Sequence, residues 1–213
     1  MIDRPIREGA RAALIAAGTD VFLTEGFRAA RVQDIAAKAG VRLSAINYHF
    51  GGKEGLYHAV LEHHADLALT FAPFPMPVTG FSLEQRFRLL VRALVSRFLD
   101  PVNPSRLGKL LVREAANPTG ALDMLFERYA RQQALMAFAF LKECLPDADP
   151  DLLARVMLSV MGQIVIYVAM PPMVTRLRPG FDHGPAALEQ LIDHVSTFSW
   201  AGIQALTARE TAA

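Results

Sequence analysis

The sequence predicts an all-α fold, and three observations carry that expectation. No stretch alternates apolar and polar residues for long enough to make a half-buried strand. Helix start and stop signals punctuate the chain from end to end. The 213 residues are 52% apolar and only 20% charged, with a formal net charge of +1, which supplies a packed core and argues against disorder.

The elements follow in order. A first helix starts near Pro5 and ends at Gly26, with Leu14, Gly18, Val21 and Phe22 at i, i+4, i+7 and i+8 on one face. A second runs from about Arg31 to Ala39, placing Val32, Ile35, Ala36 and Ala39 together. A third, near Arg42 to Phe50, is caught between the break at Gly40 and the break at Gly51-Gly52. The fourth opens at Lys53 and runs towards Thr70, where FAPFPMPVTG places three prolines in ten residues and forms the main punctuation of the chain. Beyond it Ser82 and Gln85 make a capping-box pattern, opening a helix that stops before Asp100-Pro101. Ser105 to Ala116 and about Thr119 to Leu145 are the next two, ended by Asn117-Pro118 and by Pro146. Asp149 as N-cap and Pro150 at N1 begin a helix that reaches Met170; after the loop PPMVTRLRPGFDHG a last helix spans about Pro185 to Ala208. The expectation is about nine helices, with no internal repeat.

Several classes are excluded or disfavoured. Cys144 is the only cysteine, so there is no internal disulfide framework and no multi-cysteine zinc site; a reducing, cytoplasmic setting is expected. The opening MIDRPIREGARAAL lacks the basic flank and continuous apolar run of a secretory signal. Twenty uncharged residues lie between Arg155 and Arg176, close to a membrane span, but Gln163 at their centre and Pro171-Pro172 point to a helix buried in protein and to no membrane. His58 and Glu62 at i, i+4 have the spacing of metal ligands; the other reading, a solvated helix face carrying His58, His63 and His64, is preferred because no second ligand cluster completes a site. Tyr48 and His49 have no carboxylate or nucleophile in a plausible triad, so neither an enzyme nor a cofactor is expected.

Isolated two-turn helices are marginal in water, so the third must be held by neighbours and have a reason to be presented. The second helix, the Gly40-Val41 turn and the third have the lengths and glycine joint of a helix-turn-helix, whose second helix enters a DNA major groove. The same pattern also describes two helices merely packed together. Ile46 and Phe50, four apart, can pack back on the preceding helices, leaving Ser44, Ala45, Asn47, Tyr48 and His49 outward. Between residues 26 and 53 five cations (Arg28, Arg31, Lys38, Arg42, Lys53) face Asp34 alone, a net of +4, although residues 1–70 as a whole are neutral. Positive charge sits where a DNA reader would, and phosphate contacts dominate affinity for duplex DNA. Gly51-Gly52-Lys53 adds free backbone N–H groups at a helix start beside an ammonium, a further anion site.

FLTEGFRAARVQDIAAKAGVRLSAINYHFGGKEGLYHAVL resembles the N-terminal domain of the TetR family of bacterial transcriptional regulators, over residues 7–61, and INYHFGGKEGLY resembles one branch of it. The matching features are Gly26-Phe27, then Ile35, Ala36, Ala39, Gly40 and Val41, then Phe50, then Lys53-Glu54. REAANP and SVMGQ are similar to segments of the same branch. The chain departs from the pattern where many members have Ser or Thr before the second helix and after the Gly-Val turn: here stand Ala30-Arg31 and Arg42. Many members also have Tyr in place of Asn47, whose amide can pair an adenine edge or stand as a short polar neighbour. Residues 1–52 are thereby expected to be the DNA-binding domain, with Arg31, Gln33, Arg42, Ser44, Ala45, Asn47, Tyr48, His49 and Lys53 at a double-stranded operator; the helix at 53–70 connects.

The resemblance implies that residues 71–213 form a homodimer and enclose a small-molecule pocket. Physically, about fifty residues suffice for the reader, so the rest must do more than support it. The dimer candidates are Val160, Ile164 and Val168 on the uncharged helix and Leu191, Val195 and Phe198 on the last, two helices from each chain making a four-helix bundle; the alternative is an ordinary monomer core. The pocket candidates are Phe98, Leu111, Arg113, Asn117, Tyr129, Met136, Phe138, Phe140, Met161, Gln163 and Tyr167, apolar with a few polar groups, as suits an apolar or aromatic effector. The expected function is a dimeric repressor released from a palindromic operator by that effector; the alternative is a helical small-molecule binding protein without DNA binding.

Overall fold

The computed structural model describes residues 3–75 and 80–211, so Met76 to Thr79 of the proline-rich break lie outside the described residues. Among the described residues every regular element is helical: α1 (Asp3–Ala29), α2 (Val32–Ala39), α3 (Ser44–Phe50), α4 (Lys53–Phe71), α5 (Leu83–Leu99), α6 (Leu107–Ala116), α7 (Ala121–Leu125), a π-helical turn (Phe126–Ala130), α8 (Arg131–Cys144), α9 (Pro150–Ala169), α10 (Pro171–Leu177) and α11 (Pro185–Thr211). They form two compact units that are not contiguous in sequence. The first holds Met1–Asp66 with Lys109–Leu125, the second Leu67–Gly108 with Phe126–Ala213. The split at residue 71 expected from the prolines therefore does not coincide with compactness, because Lys109–Leu125 folds with the N-terminal helices.

In the first unit α1 packs on α2 and α3. Leu14, Phe22, Ile35, Ile46, Leu56 and Leu61 are fully buried. The long helix α1 breaks at Gly26, with φ 81° and ψ 167°, as the Gly-Phe pair suggests. Phe27, delivered just past that break, lies 4.9 Å from the Tyr57 ring, and Tyr57 lies 4.9 Å from Phe22. α3 has only two turns and depends on this frame. Ile46 anchors it, 1% exposed, and Gly51 closes it at φ 74° with its N–H donated to Asn47 O at 2.9 Å. The next turn is tighter still: a Cβ on Gly55 would sit 1.9 Å from the Phe50 carbonyl oxygen, so α4 leaves α3 at a distance that only glycine permits.

In the second unit α5, α8, α9 and α11 enclose a core of Phe87, Val91, Val95, Leu141, Leu145, Val160, Ile164, Leu191 and Val195. The capping box is formed as its sequence indicates, Gln85 N–H to Ser82 Oγ at 3.2 Å and Ser82 N–H to Gln85 Oε1 at 2.9 Å. At the start of α9 Leu152 N–H donates to Asp149 Oδ1 at 2.7 Å, with Pro150 in the first turn. Arg88 pairs with Asp193, and Arg92 with Glu189, which ties α5 to α11 along their solvent edge. Two elements differ from expectation. Pro171 and Pro172 end α9 but also begin α10 inside what reads as a loop, since proline's fixed φ suits a first helical turn. The single helix expected over Thr119–Leu145 is interrupted by the π turn at Phe126–Ala130, which carries no breaker residue to announce it.

Gly55→Ala is expected to destabilise the protein by about 3 kcal/mol, the upper end of ordinary overpacking, because the added methyl meets backbone and not a movable side chain. Chemical denaturation measures it; a cost below about 0.5 kcal/mol would show that α3 and α4 can separate freely.

Candidate nucleic-acid interface and effector cleft

α3 presents one face and buries the other. Tyr48 is 67% exposed and Leu43 44% exposed, while Ile46, between them in sequence, is buried. Arg31, Gln33, Arg42, Ser44 and Asn47 are exposed; Ala45, His49 and Lys53 are half-buried. The Lys53 ammonium lies over the Phe27 ring, 4.9 Å from its centroid, and donates to Arg28 O at 3.1 Å. That posture fixes one cation beside the Gly51-Gly52 turn at a helix start, where backbone N–H groups favour an anion. Arg11 lies over Phe50, 5.4 Å from its ring centroid, at the same end of α3.

Behind this face sits a group the sequence did not single out. Glu114 on α6 is 1% exposed and accepts from Tyr57 Oη at 2.9 Å, Thr119 N–H at 2.7 Å and Thr119 Oγ1 at 2.9 Å. Four contacts on one carboxylate satisfy a buried acceptor, its second oxygen also receiving Thr119 Oγ1 at 3.1 Å. Burial, and then the bond to Glu114, push the Tyr57 phenol well above its usual range, so it stays a neutral donor. Beside it Arg113 donates to Thr24 O at 3.1 Å. Arg113 and Asn117 line a cleft of about 150 Å³ with Phe22, Phe27 and Tyr57 inside the first unit. His64, grouped above with a solvated face, is instead 5% exposed, its Nε2 3.0 Å from Thr19 Oγ1, because α4 turns that edge onto α1.

The second unit holds a cleft of about 230 Å³ between α5 and α8, lined by Phe74, Pro75, Arg86, Leu89, Leu90, Met136, Ala139, Phe140 and Glu143. Met136 and Phe140 were expected at a pocket; Arg86, Leu90 and Glu143 were not, since nothing in sequence pairs positions 57 apart. Arg86 makes a bidentate pair with Glu143, at 2.6 and 3.0 Å, and its guanidinium carbon is 5.0 Å from the Phe140 centroid. The hydrogen bonds from Arg86 hold the Glu143 carboxyl below the usual carboxylate range. Cys144, next in sequence, is pushed up to about 11 by burial and stays a thiol.

The remaining expected positions scatter. Leu111, Arg113 and Asn117 belong to the first unit and do not line the α5–α8 cleft with Met136 and Phe140. Gln163 finds its partner inside the protomer, donating to Ser199 Oγ at 2.9 Å, which links α9 to α11. Phe98, Phe138 and Tyr167 pack partly buried against the core cluster, Tyr167 on Phe181 at 4.9 Å; Met161 is half-buried, as is Tyr129 in the π turn. On the expected dimer stripe a correction is needed. Val160 (5%), Ile164 (0%), Leu191 (2%) and Val195 (0%) are already buried within the protomer and have no surface to offer; Val168 is half-buried, and Phe198 alone is exposed, at 66%. The outward side of α9 carries Leu158 (65%), Gly162 and Ile166 (39%), and that of α11 carries Phe198, Ala201, Gly202 and Ala205. α9 is also the one described helix long and apolar enough to cross a membrane; its inward side is core and its first turns carry an Arg155–Asp151 pair.

Residues 14–60 match the family model described as bacterial regulatory proteins, tetR family, and residues 83–203 match that of the HTH-type transcriptional dual regulator CecR, C-terminal domain. The chain is 33% identical over 130 residues to the HTH-type transcriptional dual regulator CecR of Shigella flexneri, covering 57% of this chain and 58% of that protein. It is 34% identical over 94 residues to the HTH-type transcriptional repressor Rv3405c of Mycobacterium tuberculosis (43% and 50%), and 33% identical over 108 residues to the HTH-type transcriptional activator FasR of Mycolicibacterium smegmatis (51% and 47%). The chain spans about half the length of the curated relatives it matches. Its fold is that of a transcriptional regulator from Rhodococcus sp. RHA1, with a TM-score of 0.63 at 19% identity, covering 90% of this chain and 96% of that one.

Glu114→Leu is expected to cost about 2–3 kcal/mol, because it strands the Tyr57 hydroxyl and the Thr119 N–H, while Glu114→Gln, which keeps an acceptor oxygen, costs less. Equal losses in a denaturant titration of the two variants would mean that packing, and not the hydrogen bonds, is what Glu114 supplies.

Proposed function

The chain belongs to the TetR family of bacterial transcriptional regulators, with a C-terminal domain of the CecR type, and on that premise we propose that it is a ligand-responsive repressor that binds a palindromic DNA operator as a homodimer in the cytoplasm. In this reading it is not an enzyme, residues 1–52 are the DNA-binding domain, and residues 71–213 bind the effector and the partner subunit. Repression by occupancy is the simplest form, since a dimer seated on an operator needs no further partner to block it. Among the relatives, CecR is named a dual regulator, Rv3405c a repressor and FasR an activator, so the sign of regulation stands on the proposal.

The observation that carries the DNA reading is the two-sided α3: Tyr48 two-thirds exposed and Ile46 buried, on a helix too short to exist for its own stability. Arg31, Arg42 and Lys53 supply phosphate contacts; Gln33, Ser44, Ala45 and Asn47 face base edges or the sugar-phosphate strand; Tyr48 and His49 flank them. The effector, apolar or aromatic, occupies the α5–α8 cleft, with Met136 and Phe140 among its walls. Release follows by linkage: a ligand that favours a dimer whose heads no longer match successive grooves lowers DNA affinity by its differential affinity for that state. The dimer forms on the outward side of α9 and α11, where Gln163 and Ser199 hold the two helices together and where glycines and alanines allow a close second layer.

Tyr48→Ala is expected to reduce operator affinity at least about tenfold with the thermal midpoint unchanged, while Lys53→Ala weakens specific and unrelated DNA alike and lowers the salt slope by about one. Fluorescence anisotropy with labelled duplexes across a salt series reads both; binding that ignores salt would leave a helical small-molecule binding protein as the better account. For the dimer, Leu158→Glu is expected to give a folded monomer, its dimerisation weakened by roughly three decades, since a charge on that face is buried without a counter-ion. Ile164→Glu, in the core, should instead unfold the second unit. Analytical ultracentrifugation with circular dichroism distinguishes them, and an unchanged Leu158→Glu dimer would move the interface elsewhere.

A further inference from the structure

The α5–α8 cleft is larger than an apolar effector alone requires to be recognised, and it is not wholly apolar. Its volume, about 230 Å³, exceeds the ~150 Å³ of a cavity that admits benzene, so a bicyclic ring fits. The walls are Phe74, Met136 and Phe140, and the rim is the Arg86–Glu143 pair. The two partners of that pair are held unequally. The Arg86 side chain is 20% exposed and its guanidinium is backed by the Phe140 ring, so the fork is already oriented; the Glu143 side chain is 50% exposed and is held by Arg86. Leaving Arg86 therefore returns Glu143 to water at little cost, because a half-exposed ion pair is largely screened by solvent.

From this asymmetry we infer that the cleft selects a planar aromatic carboxylate, whose ring lies among Phe74, Met136 and Phe140 and whose carboxylate takes the place of Glu143 on the Arg86 fork. The exchange is a swap of one bidentate carboxylate for another, with no change in the number of charge-assisted hydrogen bonds; the ring buried beneath shields the ligand's pair from the water that screens Glu143, and there the preference for a carboxylate arises. An ammonium in the same place would meet the fixed guanidinium at close range, and a neutral amide would leave the Arg86–Glu143 pair across the mouth. Glu143 thus acts as a tethered competitor that occupies Arg86 until an anion arrives. The inference rests on the effector reading proposed above and concerns the chemistry of the effector alone.

The test is isothermal titration of the full chain, without DNA, against naphthoate, naphthamide and naphthylmethylammonium. Naphthoate is expected to bind at least about tenfold more tightly than the amide, because both bury the same ring and only the carboxylate takes the Arg86 fork in that shielded position. Glu143→Gln, which removes the competitor, should tighten naphthoate several-fold and leave naphthamide unchanged; Arg86→Gln should abolish the difference between the two, with thermal unfolding checking that both rim variants remain folded. Equal affinities for the three probes, no binding of any, a preference for the ammonium, or a Glu143→Gln variant that binds naphthoate no better would each overturn it. Duplex binding is measured separately on ligand-free protein. A chain that binds duplex but shows no carboxylate preference sinks this inference alone, whereas one that prefers naphthoate and ignores DNA sinks the regulator reading and leaves the cleft chemistry standing.

Discussion

A two-turn helix cannot stabilise itself, and the first compact unit is organised around that constraint. α3 is pinned at its centre by Ile46, closed at its end by the positive φ of Gly51, and held to α4 by the close approach at Gly55. Because Ile46 anchors from one side only, Tyr48 and Asn47 remain exposed on the other. The break at Gly26 serves the same frame, since it lets Phe27 turn onto Tyr57 and provides the ring under the Lys53 ammonium. Structure that would be excessive for a plain helical bundle is what a presented helix needs.

The frame extends across sequence through Glu114. A carboxylate buried to 1% exposure must be fully hydrogen-bonded, and here the bonds bring α4, α6 and the turn before α7 to one point. Lys109–Leu125 thereby belongs to the same compact unit as α1 to α3, although some forty residues of the second unit intervene between them. A segment that the chain order places after α5 is packed with α1 to α4 instead.

How much of this was legible depended on whether the determinant was local. The capping box at Ser82–Gln85, the Asp149-Pro150 start and the glycine joints of α2 to α3 are decided within four residues, and they stand as the sequence indicates. The inward stripe of α9 was misassigned for a physical reason: a helix apolar on all sides has no polar face to set its phase, so Val160 and Ile164 could not be told from Leu158 and Ile166 by spacing. Glu114 beside Arg113 reads as a surface pair until Tyr57, 57 residues away, is brought beside it. Arg86 and Glu143 were invisible for the same reason, as was the π turn at Phe126–Ala130, which no breaker residue marks. Exposed residues on α3 were easier, because their apolar neighbours at i and i+4 fixed the buried side.

The claim at the centre of this account is that α3 of each of two subunits enters a major groove. A hydroxyl-radical footprint of the full chain, on a duplex that the protein itself selects from a random pool, tests it most directly. The account predicts two protected patches on one face of the helix, related by two-fold symmetry and separated by one helical turn, about 34 Å, or a multiple of it. A single unsymmetrical patch, or protection spread evenly along every duplex offered, would contradict it.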